Sequence, residues 1–151
     1  MIRDSIAAGQ IAAMKAGDKP RLAAIRLIMS TVKNRDIELR TSSATVDDDV
    51  TVSEVMQKMI KQRRESIAMY EAGGRQELAD IEAGEIAVIE GFLPAQMDEA
   101  AAGAAVDAIV AETGAASVKD MGRVMALVKE RHAGTMDMSK ASALVKARLG
   151  A

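Results

Sequence analysis

A chain of 151 residues can hold one domain or two small ones. Its formal net charge of −2 argues against non-specific nucleic-acid binding driven by bulk charge. Hydrophobic residues make up 49% of the chain and aromatics only 1%, so the core must be built from Ala, Ile, Leu, Val and the 11 Met. Those residues favour helices, and an all-α fold is expected. Without cysteine there is no disulfide, thiolate nucleophile or thiolate metal site, which suits a reducing compartment. The amino terminus lacks the apolar core of a signal peptide, and no apolar run is long enough to span a bilayer. A soluble, cytoplasmic protein with no membrane partner is the expectation.

The first predicted helix runs from about Ile2 to Ala16 and stops at Gly17. The second starts near Asp18, with Pro20 at an early helical position, and runs to about Arg40. Its apolar face is read as Leu22, Ile25, Met29, Val32 and Leu39. After the polar stretch Thr41 to Thr45, the third helix starts either at the aspartates 47 to 49 or at Thr51, where Thr51-x-x-Glu54 fits a capping box. It continues to Glu71, Gly73 and Gly74 turn the chain, and a fourth helix spans about Gln76 to Gly91. Pro94 closes this part. Three shorter helices follow, near Asp98 to Thr113, Ser117 to Arg131 and Ser139 to Leu149, with Ser117 and Asp137 as natural caps. The expected organisation is an N-terminal four-helix domain, residues 1–94, followed by a small three-helix bundle, residues 95–151.

Two charged residues occupy positions where the helical period demands apolar ones. The third helix reads Met56, Met59, Ile60, Arg63, Ile67, Tyr70, and the fourth reads Leu78, Ile81, Glu85, Ile89, Phe92. Arg63 and Glu85 are equally distant from Gly74, so an antiparallel hairpin should bring them together. An Arg63 to Glu85 ion pair is predicted, with Asp36 from the second helix as a third member. A catalytic carboxylate is the weaker alternative, because Arg63 would keep Glu85 ionised and no nucleophile or second base accompanies it.

No complete active site is visible. His132, the one histidine, falls at the end of the sixth helix, where it can serve the last carbonyls and the helix dipole. It has no companions for a zinc site or a triad, and the glycines match no phosphate-binding loop. No catalytic residue, metal or cofactor is expected. Basic residues are the remaining functional signal. Arg26, Lys33 and Arg40 recur every seven residues on the second helix, and Lys58, Lys61 and Arg64 lie opposite the apolar stripe of the third. Both rows are read first as solvated faces. In the last three helices the candidates for RNA or partner binding are Lys119, Arg123, Lys129, Arg131, Lys140 and Lys146. Gly122 within the sixth helix is expected to mark a close approach of another helix or of a ligand backbone. Met121 and Met125 are read as core together with Val118 and Val128, covered by Leu144, Val145 and Leu149.

The segments Lys61 to Ile67, Glu85 to Pro94, Ser117 to Met125 and Ser142 to Lys146 resemble, in order and spacing, the GatB/YqeY family. The C-terminal module resembles the tail domain of the GatB subunit of tRNA-dependent amidotransferases. That resemblance implies a YqeY-like, tRNA-binding or amidotransferase-related adaptor with no active site of its own, whose partner is tRNA or a tRNA-handling enzyme. Carbon-nitrogen ligase activity with glutamine as amido-N-donor is implied only through the shared domain, and catalysis by this chain alone is not expected. Such a module would read RNA by shape and phosphate contacts, since it holds no aromatic residue for stacking. No DNA partner is expected. Two other roles stay open: an amidotransferase accessory, and a protein-interaction module that docks a partner helix without RNA. The sequence does not set the oligomeric state.

Overall fold

The computed structural model describes residues 1–43 and 45–150. They form seven α-helices and no strand, with 79% of the chain helical. In chain order these are α1 (Ile2–Ala16), α2 (Lys19–Leu39), α3 (Asp48–Ala72), α4 (Gln76–Glu90), α5 (Glu99–Thr113), α6 (Met121–His132) and α7 (Met138–Arg148). A single 3-10 turn, Val118–Asp120, leads into α6. The chain divides into two compact units, Met1–Leu93 and Pro94–Ala151.

Short polar residues and glycines set the helix ends. Gly17 ends α1 in the left-handed region at φ 68°, where a side chain would clash with the following carbonyl. Asp18 then caps α2 by accepting from the Arg21 N–H, with Pro20 in the first turn. The choice at α3 falls to the aspartates: Asp47 accepts from the Val50 N–H, and Asp48 and Asp49 complement the helix dipole. Asp98 caps α5 through the Ala101 N–H, and Asp137 caps α7 through Ser139 and Lys140. The sixth helix starts later than predicted, because the Asp120 carboxylate accepts from the Ala116 and Ser117 N–H groups and tightens the first turn into 3-10 form.

In the first unit Ile6, Ile25, Ile28, Val32, Val52, Met56, Met59, Ile60 and Ile89 make the core, and α3 packs most extensively on α4. Two helix faces differ from the sequence reading. In α2 the buried row is Ala24, Ile25, Ile28 and Val32, and Met29 is exposed. In α4 it is Ala79, Ile86 and Ile89, and Ile81 is exposed. In the second unit Val106, Ile109, Val124, Val128, Ala141, Val145 and Leu149 form the centre, with Met121, Met125 and Leu144 packed at its edge. Val118 belongs to the 3-10 turn and is exposed, so it does not join that face.

Gly122 brings nothing close. It lies in the first turn of α6, is exposed, and a methyl group there would meet no atom within 4 Å. The close approach occurs at Gly9 of α1, where a Cβ would lie 2.7 Å from the Phe92 ring. Among the described residues, no single helix is long and apolar enough to cross a membrane.

Candidate functional site

Charge placement determines what each unit can bind. In the second unit, two of the six basic candidates are held by carboxylates of their own unit. Arg131 clasps Glu112 with both terminal nitrogens, at 2.6 and 2.7 Å. This bidentate contact lowers the Glu112 carboxyl pKa and raises that of Arg131. Arg123 contacts Asp120 at 3.2 Å, and the Asp120 carboxyl is lowered chiefly by the Ala116 and Ser117 N–H groups and further by Arg123. Arg148, outside the predicted set, pairs with Asp107 at 2.6 Å and ties α7 to α5.

Lys119, Lys129, Lys140 and Lys146 are exposed and form no ion pair among the described residues. They do not converge on one spot. Lys119 precedes α6 and Lys129 is in its last turn, while Lys140 and Lys146 flank the buried Ala141–Val145–Leu149 row of α7 on opposite sides, about 120° apart around the axis. His132 ends α6, and its carbonyl accepts from the Thr135 and Met136 N–H groups.

In the first unit Arg63 donates from Nε to Glu85 at 2.7 Å, and its terminal nitrogen reaches the Met59 carbonyl at 3.3 Å. Asp36 is not part of this pair. It receives both terminal nitrogens of Arg3, at 2.9 and 2.7 Å, while the Arg3 Nε reaches both oxygens of Asp48, at 2.9 and 2.8 Å. The Arg3 guanidinium thereby ties the start of α1 to the end of α2 and the start of α3. Hydrogen bonding from Arg3 holds the Asp36 carboxyl below the usual carboxylate range. The Asp49 carboxylate adds a second tie by accepting from the Ile2 N–H. Sequence reasoning missed this cluster. Its one sequence signal is that Arg3 falls between Ile2 and Ile6, at the margin of the buried side of α1.

Beside the cluster, α1 and α2 border a cleft of about 630 Å³ lined by Ile6, Gln10, Arg26, Met29, Val32 and Lys33 among others. Among the described residues no three His, Asp or Glu side chains converge in a way that could hold a metal ion.

Residues 3–149 match the family model described as Yqey-like protein. Relatives named "Altered inheritance of mitochondria protein 41, mitochondrial" share 35% identity with the chain. In Kluyveromyces lactis the match covers 80 residues, 53% of this chain and 42% of the relative. In Saccharomyces cerevisiae strain YJM789 it covers 81 residues, 54% and 42%, and in Candida glabrata 81 residues, 54% and 43%. The matched segment thus spans less than half the length of these relatives. Their mitochondrial names overturn the expectation of a cytoplasmic address. That expectation rests on the lack of cysteine, of an apolar signal core and of a membrane-spanning run, none of which bears on mitochondrial transit peptides, which are amphipathic and Arg-rich. The match over almost the whole chain places it in the YqeY-like protein family.

Proposed function

We propose that this protein is a helical adaptor that binds tRNA, or tRNA together with the enzyme that handles it, through the lysines of its second unit. One observation carries the proposal: Lys119, Lys129, Lys140 and Lys146 are exposed and carry no carboxylate partner among the described residues, on the elements that enclose the apolar core of the second unit. Lysines so placed act as point charges for phosphates and carry no base specificity. The resemblance of this unit to the GatB tail supports tRNA as the polyanion. The four-helix and three-helix arrangement fits the same reading, with the second unit as the RNA-facing module. The mitochondrial names of the relatives point to mitochondria as the setting in which to seek the partner.

The ion pairs sharpen the test. Arg131 is held bidentately by Glu112 and Arg123 has one contact with Asp120, so alanine at either position should weaken tRNA binding less than alanine at Lys119 or Lys140, and least at Arg131. Fluorescence anisotropy with labelled total tRNA and the full chain measures this ranking. Equal losses at all six positions, or none, would contradict the lysine assignment. Amide transfer to mischarged tRNA, stimulated by the chain in a purified amidotransferase assay, would favour the accessory role instead.

A further inference from the structure

The cleft of the first unit is built unlike the set of exposed lysines of the second, and its chemistry points to a different ligand. Ile6, Met29 and Val32 supply its apolar lining, Gln10 and Ser30 polar lining, Arg26 and Lys33 of α2 line it with exposed cations, and Arg3 and Asp36 line it as an ion pair. Arg26 and Lys33 are exposed and join no ion pair among the described residues, whereas the third cation of the cleft, Arg3, is saturated by Asp36 and Asp48. Seven residues separate the two free cations, which places them on one side of α2 about 10 Å apart. Between them Met29 remains 38% exposed. The two walls form an antiparallel pair, since Arg3 at the start of α1 reaches Asp36 at the end of α2.

We infer that this groove docks an acidic amphipathic helix of a protein partner. The occupant is chosen by charge and shape together. A groove between two antiparallel helices takes a third helix along its length, with apolar side chains pressed between the ridges. The exposed Met29 lets the groove repack around different apolar side chains. Unpaired cations one heptad apart on α2 match carboxylates placed at i and i+7 on the incoming helix. A nucleic acid would leave Met29 and the apolar lining beneath it uncovered, since phosphates gain nothing from apolar side chains. The Arg3 cluster fixes the relative position of the walls before binding, which lowers the ordering cost of the complex.

The test is a display selection of 16-residue helices, randomised at every position except a fixed helix-forming frame, against the full-length protein. Enriched helices should carry Asp or Glu at i and i+7 flanking an apolar stripe, and should bind the Arg26→Glu/Lys33→Glu double variant at least tenfold more weakly. Met29→Asp should weaken them similarly, and changing the acidic pair of the helix to Lys should restore binding to the charge-reversed variant. Circular dichroism of each variant checks folding, and all three positions are exposed. Failure to enrich any helix, or enrichment indifferent to these substitutions, overturns the inference. So does loss of tRNA binding in the double variant without any helix bound, which assigns Arg26 and Lys33 to nucleic acid. The tRNA affinity carried by the lysines of the second unit should be unchanged in these variants, so the two proposals fail separately.

Discussion

Arg63 of α3 and Glu85 of α4 meet at 2.7 Å across the α3–α4 hairpin, with their side chains only 15% and 25% exposed. The pair sits beside Met59, Ile60 and Ile86, where an uncompensated charge would be poorly hydrated. Arg63→Met alone should lower stability by about 2 to 3 kcal/mol, somewhat below the ~3 to 5 of a fully buried pair. Arg63→Met/Glu85→Leu should recover most of that loss, since both charges leave together. Chemical denaturation of the two single variants, the double variant and the parent measures the coupling. A single variant as stable as the parent would show that the contact contributes nothing.

The Arg3 cluster makes stability depend on acid. Asp36 has a folded-state pKa below its unfolded value, so its contribution is fully present above about pH 4 and is lost as pH falls through the lowered folded value. Asp36→Asn should therefore be less stable than the parent at pH 7, and the gap should close toward pH 2. Both partners are more than a third exposed, which keeps the effect small and sensitive to salt. Thermal melts of parent and variant between pH 2 and 7 resolve it. A gap that is constant with pH would remove the electrostatic explanation.

Two glycines within helices should respond in opposite directions. Gly84 lies in the middle of α4 with open space around it, and Gly84→Ala should stabilise by about 1 kcal/mol through helix propensity. Gly9→Ala places a methyl group 2.7 Å from the Phe92 ring and should destabilise by roughly 1 to 2 kcal/mol. Urea melts of the two variants test the assignment of Gly9 as a packing position. Equal stabilisation by both would mean that Phe92 moves away at no cost.

Ser53 of α3 is 1% exposed, and its hydroxyl has no hydrogen-bond partner among the described residues. A buried hydroxyl without a partner is unfavourable, so Ser53→Ala should hold stability or raise it by up to about 1 kcal/mol. A fall in melting temperature would mean that the hydroxyl is satisfied in solution.

Helix ends were the most legible part of the sequence. Gly17, Asp18 with Pro20, Asp98 and Asp137 each satisfy or terminate a helix through their own chemistry, without help from distant residues. The Arg63–Glu85 contact was legible for a related reason. A tight turn fixes register, and equal spacing from Gly74 then pairs two residues on antiparallel helices. Faces were harder. In α2, Ile28 and Met29 are adjacent apolar residues, and periodicity alone does not say which one points inward. In α4 the small Ala79 takes the buried position and Ile81 points outward, a choice made by the neighbouring helices. Asp36 pairs with Arg3 rather than Arg63, and sequence does not show this because Arg3 comes from another helix whose placement no local pattern reveals. Gly122 was read as a contact glycine, whereas its neighbourhood is open and the turn before α6 is tightened by Asp120. Residue type alone picks out the basic candidates, but which of them are paired depends on Asp120, one turn before Arg123, and on Glu112 of another helix for Arg131.

The salt dependence of tRNA binding by the full chain tests the adaptor role most directly. Saturable binding is expected, with an association constant whose logarithm falls linearly with the logarithm of salt concentration, and a slope about 3 units shallower when Lys119, Lys129, Lys140 and Lys146 are all replaced by alanine. Absence of tRNA binding at low salt, or a slope untouched by the fourfold substitution, would contradict it.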